Sequence, residues 1–367
     1  MLRIAHVDAE RGFSGGEIQV FLLMEGLRAR GHENLLFCQP GSRCEEQASR
    51  RGFEVCSLPM RGDLDLPAVW GLHGAMGKAR LDLVHLHTGR ATWLGGLAAA
   101  WCGLPALTTR RQDRRVKRNW RTRLIYRRLT QRGVAISKAV ERCLKEGGVD
   151  PARIQIIPSS VDPAQFACEI PRDELRRASG LKPEDNVLLV MAALVRRKGI
   201  DVLLQALARL VEEGDVRTQL WIAGQGSESA ALEQQACDLG LEKRVYFLGQ
   251  RSDKAELFSI CDAFLLPSRR EGLGVAALEA MAAGRAVIAS SVGGLADAVI
   301  DGETGLLVQP ENVEQLAQAI ARLRDDAPLA SRLGAAGPAR VGRGHLPEQM
   351  VQAYEDLYRE LVEGRDK

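Results

Sequence analysis

The chain has 367 residues, more than one ordinary hydrophobic core organises, so two domains are expected. Charged residues make up 26% and apolar residues 46%, as in soluble globular proteins. No secretory signal is expected, because Arg3 and Asp8 bracket only a short apolar run. The eight cysteines form no C-x-x-C pair, which argues against zinc or a disulfide framework and favours reduced thiols in a cytoplasmic protein.

The first half has the alternating pattern of a doubly wound parallel sheet. Its predicted elements are a strand at 2–7, a helix at 17–30, strands at 35–38 and 53–58, a helix at 67–78 and a strand at 83–87. Gly15 and Gly16 follow the first strand and form either a tight turn or a place where the backbone approaches a ligand phosphate. The uncharged stretch 92–109 contains several glycines and Pro105, so we interpret it as a helix and a buried strand rather than a membrane span.

Two histidines lie on the strand at 83–87. His85 and His87 share one face of it, because side chains alternate along a strand. No third ligand lies near them in the sequence, so no metal site is expected. His87 stands at the carboxyl end, where open α/β sheets bind ligands, and it is either a polar contact to substrate or a structural histidine.

The most biased segment of the chain spans residues 110–132. It contains eleven arginines and lysines and one acid, Asp113. Residues 1–168 hold 26 basic and 16 acidic side chains, whereas 169–367 hold 24 and 31. This asymmetry favours an anionic membrane surface or a phosphorylated acceptor for the first half. Nucleic acid ranks lower because recognition aromatics are scarce, and a solvated basic helix is the remaining interpretation.

The same alternation restarts after a linker, so we place the domain boundary near residue 168. The predicted elements are a strand at 187–192, a helix at 200–212, a strand at 219–223, a helix at 228–239 and strands at 245–248 and 263–266. A basic loop, Arg196, Arg197 and Lys198, emerges at the carboxyl end of the first of these strands. Cations at that position can neutralise a diphosphate.

Two carboxylates follow the strand at 263–266. Glu271 lies in a glycine-broken loop, and Glu279 lies eight residues later on the helix that the loop opens. The backbone N–H groups of 272–275 between them form an anion site at a helix N-terminus. Carboxylates that hold sugar hydroxyls beside a phosphate seat predict a nucleotide-sugar pocket. A final amphipathic helix at 348–361 must bury its apolar stripe, and we expect it to do so across the domain junction.

These motifs resemble glycosyltransferase family 4, the retaining, metal-independent transferases of GT-B fold. The likeness rests on the E-x7-E motif in EGLGVAALEAMAAGRAVIAS, on the RKG loop, on VGGLADAVIDGETGLLV, and on SGGEIQ, DLVHLH and VAISKAVERCL in the first half. It implies two Rossmann-like domains, 1–168 for the acceptor and 169–346 for the nucleotide-sugar, facing a central cleft. It also implies that 347–367 packs back on the first domain, and that the nucleotide diphosphate-sugar is a co-substrate without any metal or cofactor.

The resemblance also implies site residues. Glu271, Lys198 and Arg197 would be catalytic, with Glu271 on the transferred sugar and the two cations on the diphosphate. Donor-binding residues would be Gly15, Gly16, Arg196, Gly224, Gln250, Gly272, Leu273, Gly274, Val275 and Glu279, the last on the ribose hydroxyls. Acceptor-binding residues would be His87, Arg110, Arg111 and Asp113.

Two positions depart from the family pattern. Ala192 and Ala193 stand where many members carry Gly-Arg, so Arg196 or Arg197 must take that phosphate role. The histidine that many members present at the end of the buried strand that follows Pro105 is also absent, since residues 108–111 read Thr-Thr-Arg-Arg.

The leading hypothesis is retaining transfer to a phosphorylated or membrane glycolipid acceptor, such as a lipopolysaccharide core or a lipid-linked precursor. It places the enzyme in the cytoplasm, on the inner face of the plasma membrane. A nucleotide-sugar epimerase and a nucleic-acid-binding protein are the alternatives.

Overall fold

The computed structural model describes residues 1–364, which fold as two compact units. The first unit comprises residues 1–160 and 347–364, and the second comprises 161–346. The division falls after Ser160, eight residues before the boundary expected from the sequence. Val161 donates its main-chain N–H to the carbonyl of His345 at 2.8 Å, which ties the start of the linker to the second unit.

The first unit contains a parallel sheet in which the described residues form seven strands in the order β3-β2-β1-β4-β5-β6-β7. The strands are β1 (Arg3–Val7), β2 (Glu33–Cys38), β3 (Glu54–Ser57), β4 (Leu83–Leu86), β5 (Ala106–Arg110), β6 (Arg132–Ala135) and β7 (Ile154–Ile156). The central strands are buried on both faces, which explains their almost continuous apolar sequences. Successive strands are added on one side of β1 up to β3 and on the other side from β4 onward, so a topological switch point lies between β1 and β4.

The helices of the first unit begin at polar caps that the sequence contains. They are α1 (Gly15–Ala29), α2 (Arg43–Arg50), α3 (Leu66–Lys78), α4 (Gly89–Trp101), α5 (Trp120–Leu124) and α6 (Lys138–Glu146). Ser14 and Glu17 form a capping box, so α1 starts two residues earlier than expected and includes Gly15 and Gly16. Thr88, Asn119 and Ser137 are the N-caps of α4, α5 and α6, and the side chain of each accepts a main-chain N–H of the first turn.

The second unit repeats the plan with six described strands in the order β10-β9-β8-β11-β12-β13. The strands are β8 (Asn186–Met191), β9 (Thr218–Ala223), β10 (Val245–Gly249), β11 (Ala263–Leu266), β12 (Ala286–Ser290) and β13 (Gly305–Val308). The helices are α7 (Arg172–Ala178), α8 (Ile200–Glu212), α9 (Ser229–Asp238), α10 (Lys254–Ile260), α11 (Val275–Ala282), α12 (Leu295–Ala298), α13 (Val313–Asp325) and α14 (Ala327–Gly342). Two doubly wound parallel-sheet units confirm the fold class expected from the sequence.

The last helix, α15 (Pro347–Glu363), packs within the first unit against α1. Its buried stripe joins the core of β1 and α1, and its buried members are Met350, Val351, Tyr354, Leu357, Tyr358 and Leu361. A Cβ placed on Gly26 of α1 would lie 2.3 Å from Val351 Cγ2, so glycine allows the two helices their close approach. The predicted amphipathic face therefore has a defined partner inside the first unit.

The basic segment is not the continuous helix that one interpretation of the sequence assumed. Residues 111–118 have no regular structure, α5 has only five residues, and a single π-helical turn, Ile125–Leu129, follows it. Like charges recur at four-residue spacing, as at Arg111 and Arg115, and such pairs destabilise a helix. This repulsion is strongest at 111–118, where five basic residues fall within eight positions, and helix begins after it, at the cap Asn119.

The uncharged stretch 92–109 is the segment that the sequence analysis weighed as a membrane span. It forms most of α4, a turn and most of β5, as expected. Among the helices within residues 1–364, none is both long and apolar enough to cross a membrane.

Candidate functional site

The second unit brings Glu271 and the basic loop together at the carboxyl ends of β8 and β11. Lys198 forms an ion pair with Glu271, and Ser268 donates its hydroxyl to the same carboxylate oxygen at 3.2 Å. Arg197 Nη1 lies 3.9 Å from the other oxygen. The Lys198 and Glu271 side chains are only 11% and 12% exposed, so the pair is largely desolvated. The three residues assigned to catalysis therefore form one cluster.

The turn that carries these cations packs against the backbone directly after β11. Gly199 has φ +67°, and a Cβ there would lie 2.0 Å from the Pro267 carbonyl oxygen. Arg269 binds Asp201 through two hydrogen bonds of 2.7 Å and also donates to the carbonyl of Arg196. Glycine thus permits the contact and Arg269 locks it, which fixes Lys198 relative to the Glu271 loop. Sequence reasoning assigned no role to Arg269, because its partners lie far away in the chain.

The glycine-broken loop packs tightly against the start of α12. Gly274 has φ +84°, and a Cβ there would meet Leu295 Cδ2 at 2.3 Å. A Cβ at Gly294 would lie 2.2 Å from the Gly272 carbonyl oxygen, and the Gly294 N–H donates to the Glu271 carbonyl. Gly272, Leu273 and Gly274 are buried, and no side chain among residues 1–364 caps the start of α11. Ala277 donates its N–H to the Gly274 carbonyl at 2.9 Å, so the amides of Val275 and Ala276 are the ones in the first turn that can bind an anion.

Glu279 has a partner that sequence reasoning missed. Lys254, at the start of α10, donates to both carboxylate oxygens at 2.8 Å each. The Glu279 side chain is 11% exposed and that of Lys254 is 35% exposed. Each glutamate of the E-x7-E motif is thus neutralised by a different lysine. The sequence offers no local signal for this pairing, since 25 residues and a strand separate the two.

The remaining donor-binding candidates of the second unit lie around β9 and β10. Gly224 has φ +148°, and a Cβ there would lie 1.9 Å from the Ala192 carbonyl oxygen, so only glycine fits beside the basic loop. Its N–H donates to the Gly249 carbonyl at 2.7 Å. Gln250 follows directly and is exposed. Arg196 opens the short turn that contains Lys198, and its carbonyl accepts from Arg269.

In the first unit, Gly16, His87 and Arg111 form a second group. A Cβ placed on Gly16 would lie 3.6 Å from Arg111 Cδ, which is ordinary van der Waals contact. Arg111 donates to the His87 carbonyl at 3.2 Å and faces His87 Nδ1 at 3.4 Å. Gly15 precedes Gly16 in the first turn of α1 and has open space around it. The structure therefore places the Arg111 guanidinium beside the glycine pair, directly after β5.

Arg110 and Asp113 engage local structure instead. Arg110 donates to the carbonyl of Arg114 and interacts with the hydroxyl of buried Tyr126. The Asp113 carbonyl accepts from Cys143 Sγ at 3.3 Å. These contacts fix the path of the chain after β5. Neither contact involves Gly16, His87 or Arg111.

His85 and His87 do have a third imidazole beside them, contrary to the expectation from sequence. β1 and β4 pair in a register that sets His6 opposite His85. Ring nitrogens of His6, His85 and His87 lie within 4.8 Å of one another. His6 Nδ1 lies 3.0 Å from His87 Nε2, whereas His85 contacts Tyr358 at 2.6 Å and Thr109 at 2.7 Å. A metal ion would have to displace these hydrogen bonds.

The hydrogen bonds assign the tautomers of two of these rings. Asn34 donates its amide to two main-chain carbonyls, so its oxygen accepts from His6 Nε2–H at 3.0 Å. His6 Nδ1 then accepts from His87 Nε2–H, which leaves the lone pair of His87 Nδ1 toward Arg111. Burial lowers the pKa of His6 to about 4 and that of His87 well below its usual value, so both rings are neutral at pH 7.

Asp8 is a further titratable group that the sequence analysis passed over. It follows β1 at the carboxyl edge of the sheet, and burial raises its pKa from 3.8 to about 7. Its Oδ1 accepts the main-chain N–H of Glu10 at 2.9 Å. A carboxyl with such a pKa beside a ligand-binding edge is a candidate functional group. The sequence signal was its place directly after a buried strand.

Two protein-family models match the chain, one in each half. The model described as Glycosyltransferase Family 4 matches residues 13–165, and the model described as Glycosyl transferases group 1 matches residues 171–340. The chain is 27% identical over 379 aligned residues to the Escherichia coli UDP-Gal:alpha-D-GlcNAc-diphosphoundecaprenol alpha-1,3-galactosyltransferase, covering 98% of this chain and 97% of that protein.

A Stackebrandtia nassauensis D-inositol 3-phosphate glycosyltransferase is 37% identical over 223 residues, which are 56% of this chain and 49% of that protein. The match therefore spans about half the length of that relative. Among solved structures, Anabaena Alr3699/HepE in complex with UDP and glucose superposes with a TM-score of 0.87 at 21% identity, covering 98% of this chain and 100% of that one. That likeness shows a shared fold.

Proposed function

We propose, from the premise that this chain belongs to glycosyltransferase family 4, that it transfers a sugar from a nucleotide diphosphate-sugar to an acceptor hydroxyl with retention of anomeric configuration. The observation that carries the proposal is the pair of lysine-neutralised glutamates beside Arg197 and the uncapped first turn of α11, with the amides of Val275 and Ala276. The carboxylates accept hydroxyls, and the cations and amides receive the diphosphate.

The second unit has the groups that a departing diphosphate needs. A lysine ammonium carries three donors, so Lys198 can hold a phosphate oxygen without releasing Glu271. Arg197 is half-exposed, and among residues 1–364 its guanidinium pairs only with Glu271, at 3.9 Å, which leaves most of its fork for phosphate. Fixed donors aimed at developing negative charge stabilise the transition state most strongly. The leaving diphosphate then takes the proton of the attacking hydroxyl on the same face, and no metal is needed.

The Escherichia coli relative supports a specific donor and acceptor. Its name gives UDP-galactose as donor and a diphosphoundecaprenol-linked sugar as acceptor, and the similarity covers nearly all of both chains. We therefore expect a UDP-hexose donor and a lipid-linked or other glycolipid acceptor. The acceptor site belongs to the first unit, where Arg111 stands beside Gly16 and the basic segment lies.

Exposed aromatic side chains next to the basic segment favour work at a membrane surface. Trp120 is 69% exposed and packs edge-on against Trp93, whose indole donates to the carbonyl of Asp63. Arg121 lies over Trp93 and pairs with Asp63. The neighbouring loop and helices expose further large apolar residues, namely Leu64, Leu66, Trp70 and Trp101. Aromatic and basic groups together suit the headgroup region of an anionic bilayer, so we expect peripheral association with the inner face of the plasma membrane.

The first experiment is a thermal-shift screen of UDP-, GDP- and ADP-hexoses, followed by transfer to lipid-linked acceptors in the presence of EDTA. We expect a UDP-hexose to raise the melting temperature by mass action and transfer to persist with EDTA. NMR of the product is expected to show the anomeric configuration of the donor. Glu271→Gln should abolish transfer, and exposed Glu303→Gln serves as its matched control. Inverted product, or epimerised donor without acceptor, contradicts the proposal.

Membrane association needs its own measurement. Neutralising Arg114, Arg115 and Arg118 removes three exposed or partly exposed charges, each worth about 1 kcal/mol near an anionic surface. Co-sedimentation with phosphatidylglycerol-containing vesicles should therefore fall by more than tenfold at low salt. Unchanged co-sedimentation would show that the basic segment does not bind the membrane and is only a solvated surface.

A further inference from the structure

A cavity of about 340 Å³ opens at the carboxyl edge of the first unit's sheet. Its lining consists of Ala9, Glu10, Arg11, Gln39, Arg61 and Arg90. The first three follow β1, Gln39 follows β2, Arg61 follows β3 and Arg90 lies in the first turn of α4, after β4. The cavity therefore lies at the switch point between β1 and β4, the place where open parallel sheets bind their ligands.

The cavity has a marked excess of unpaired positive charge. Within residues 1–364, no carboxylate lies within ion-pair distance of Arg11, Arg61 or Arg90, although many other arginines of the chain have such a partner. Asp63 interacts with Arg90 from beyond that distance: it pairs with Arg121, and Arg121 and Arg90 together lower its pKa. Arg90 Nε is also buried, and it has no hydrogen-bond partner among the described residues. Glu10 contributes the one acidic side chain, so the lining carries three positive charges and one negative. A phosphate group, with a charge near −2, would complement that balance.

The floor of the cavity is held in place by buried hydrogen bonds. Gln39 is 2% exposed, and its amide donates to the carbonyls of Ala9 and Met60 at 2.9 and 3.1 Å. Its oxygen accepts the Met60 N–H at 3.1 Å. Arg90 Nη1 donates to the same Met60 carbonyl at 3.0 Å, which leaves its other donors free. The loops after β1 and β3 are thereby fixed to each other before any ligand arrives.

We propose that this cavity binds the phosphate of the acceptor, with Arg61 and Arg90 as its main ligands and Arg11 at the rim. The identification of the ligand as acceptor rests on the proposed function, whereas phosphate binding itself does not. Guanidinium groups bind phosphate oxygens in pairs, which gives orientation as well as affinity. Exposed Leu64 and Leu66 continue the loop that begins at Arg61, so a phosphate on a lipid would reach the cavity from the apolar surface.

Isothermal titration with inorganic pyrophosphate tests the site. The titration uses the full chain carrying Arg196→Gln, Arg197→Gln, Lys198→Met and Glu271→Gln, which removes the cations of the second unit's basic loop and the carboxylate that they face. Adding Arg61→Ala and Arg90→Ala should weaken pyrophosphate binding about a hundredfold, roughly tenfold for each lost charge-assisted contact. Arg128→Ala, which removes an exposed arginine outside the cavity, should change the affinity for pyrophosphate by less than twofold. If the double arginine substitution leaves the affinity unchanged, the cavity is not a phosphate site.

Two further arms identify the source of the phosphate and guard against misfolding. Phosphatidylcholine vesicles with and without a polyprenyl diphosphate distinguish a lipid headgroup, and a soluble hexose phosphate distinguishes a free acceptor. Arg90→Lys keeps the charge but loses the fork, so it should weaken binding severalfold while the protein still unfolds in one cooperative thermal transition. If the wild-type chain transfers sugar but the Arg61/Arg90 variant still binds pyrophosphate normally, the phosphate site is refuted and the proposed function stands. Loss of pyrophosphate binding in that variant, with no transfer by the wild-type chain, refutes the proposed function alone.

Discussion

Replacing Lys198 by alanine tests the central ion pair. The substitution leaves Glu271 with Ser268 at 3.2 Å and Arg197 at 3.9 Å, in a position where its side chain is 12% exposed. Breaking a buried pair from one side costs about 3–5 kcal/mol, because the remaining charge stays desolvated. The hydroxyl and the guanidinium offset part of that cost. We therefore expect the free energy of unfolding of the second unit to fall by about 3 kcal/mol.

Urea unfolding followed by fluorescence gives the measurement. Trp221 is the one tryptophan of the second unit, so replacing the other four of the chain by phenylalanine isolates its signal. Lys243→Ala is the matched control, since this lysine is exposed and should change stability by no more than about 0.5 kcal/mol. A loss below about 1 kcal/mol for Lys198→Ala would show that Glu271 is not desolvated in solution.

The double variant Lys198→Met with Glu271→Gln separates stability from chemistry. Replacing both members of a buried pair by neutral side chains of similar size leaves stability near the wild-type value. The transferase rate should nevertheless stay at least about a hundredfold down, the usual cost of losing one group that stabilises developing charge. Recovery of both stability and rate in the double variant would refute the role given to Lys198.

Two further substitutions probe the backbone and the pH dependence. Gly199→Ala should destabilise the second unit by at least about 2 kcal/mol, because its Cβ would lie 2.0 Å from the Pro267 carbonyl oxygen. Gly302→Ala has a similar φ, +70°, but open space, so in urea unfolding it should cost only about 1 kcal/mol. Asp8→Asn should stabilise the first unit more at pH 8.5 than at pH 5, by about 2–3 kcal/mol. Burial raises the Asp8 pKa from 3.8 to about 7. The free energy of unfolding of the wild-type chain therefore falls as the pH rises from about 4 to 7, because the unfolded chain releases the Asp8 proton more readily than the folded chain. Equal stabilisation at both pH values would contradict this.

Sequence reasoning recovered those parts of the site that short segments of chain determine. The basic loop, the glycine-broken loop and Glu279 each sit within a few residues of a buried strand end, so alternation of strands and helices was enough to place Lys198 and Glu271 at one edge of a parallel sheet. The glycines carried a usable signal too, since positive φ at Gly199 and Gly274 is a local property.

Partners that meet through the fold could not be read in this way. His6 reaches His87 because β1 pairs with β4 in one register, and a shift of one residue would have turned the side chain to the other face. Lys254 meets Glu279 through the packing of separate elements. The one interpretation of the basic segment that assumed a continuous helix was wrong, because repulsion between neighbouring charges opposes helix there.

The lysine partners decide what the two glutamates can do. A free carboxylate at either position would repel an incoming diphosphate, and in a poorly hydrated pocket that repulsion is strong. Lys198 and Lys254 remove the net charge while leaving lone pairs on the carboxylate oxygens, which can still accept hydroxyl protons. The same pairing makes Glu271 a poor nucleophile, because its negative charge is already held by Lys198 and Ser268. A pocket built in this way favours a mechanism in which the donor's own diphosphate, rather than an enzyme carboxylate, takes the acceptor's proton.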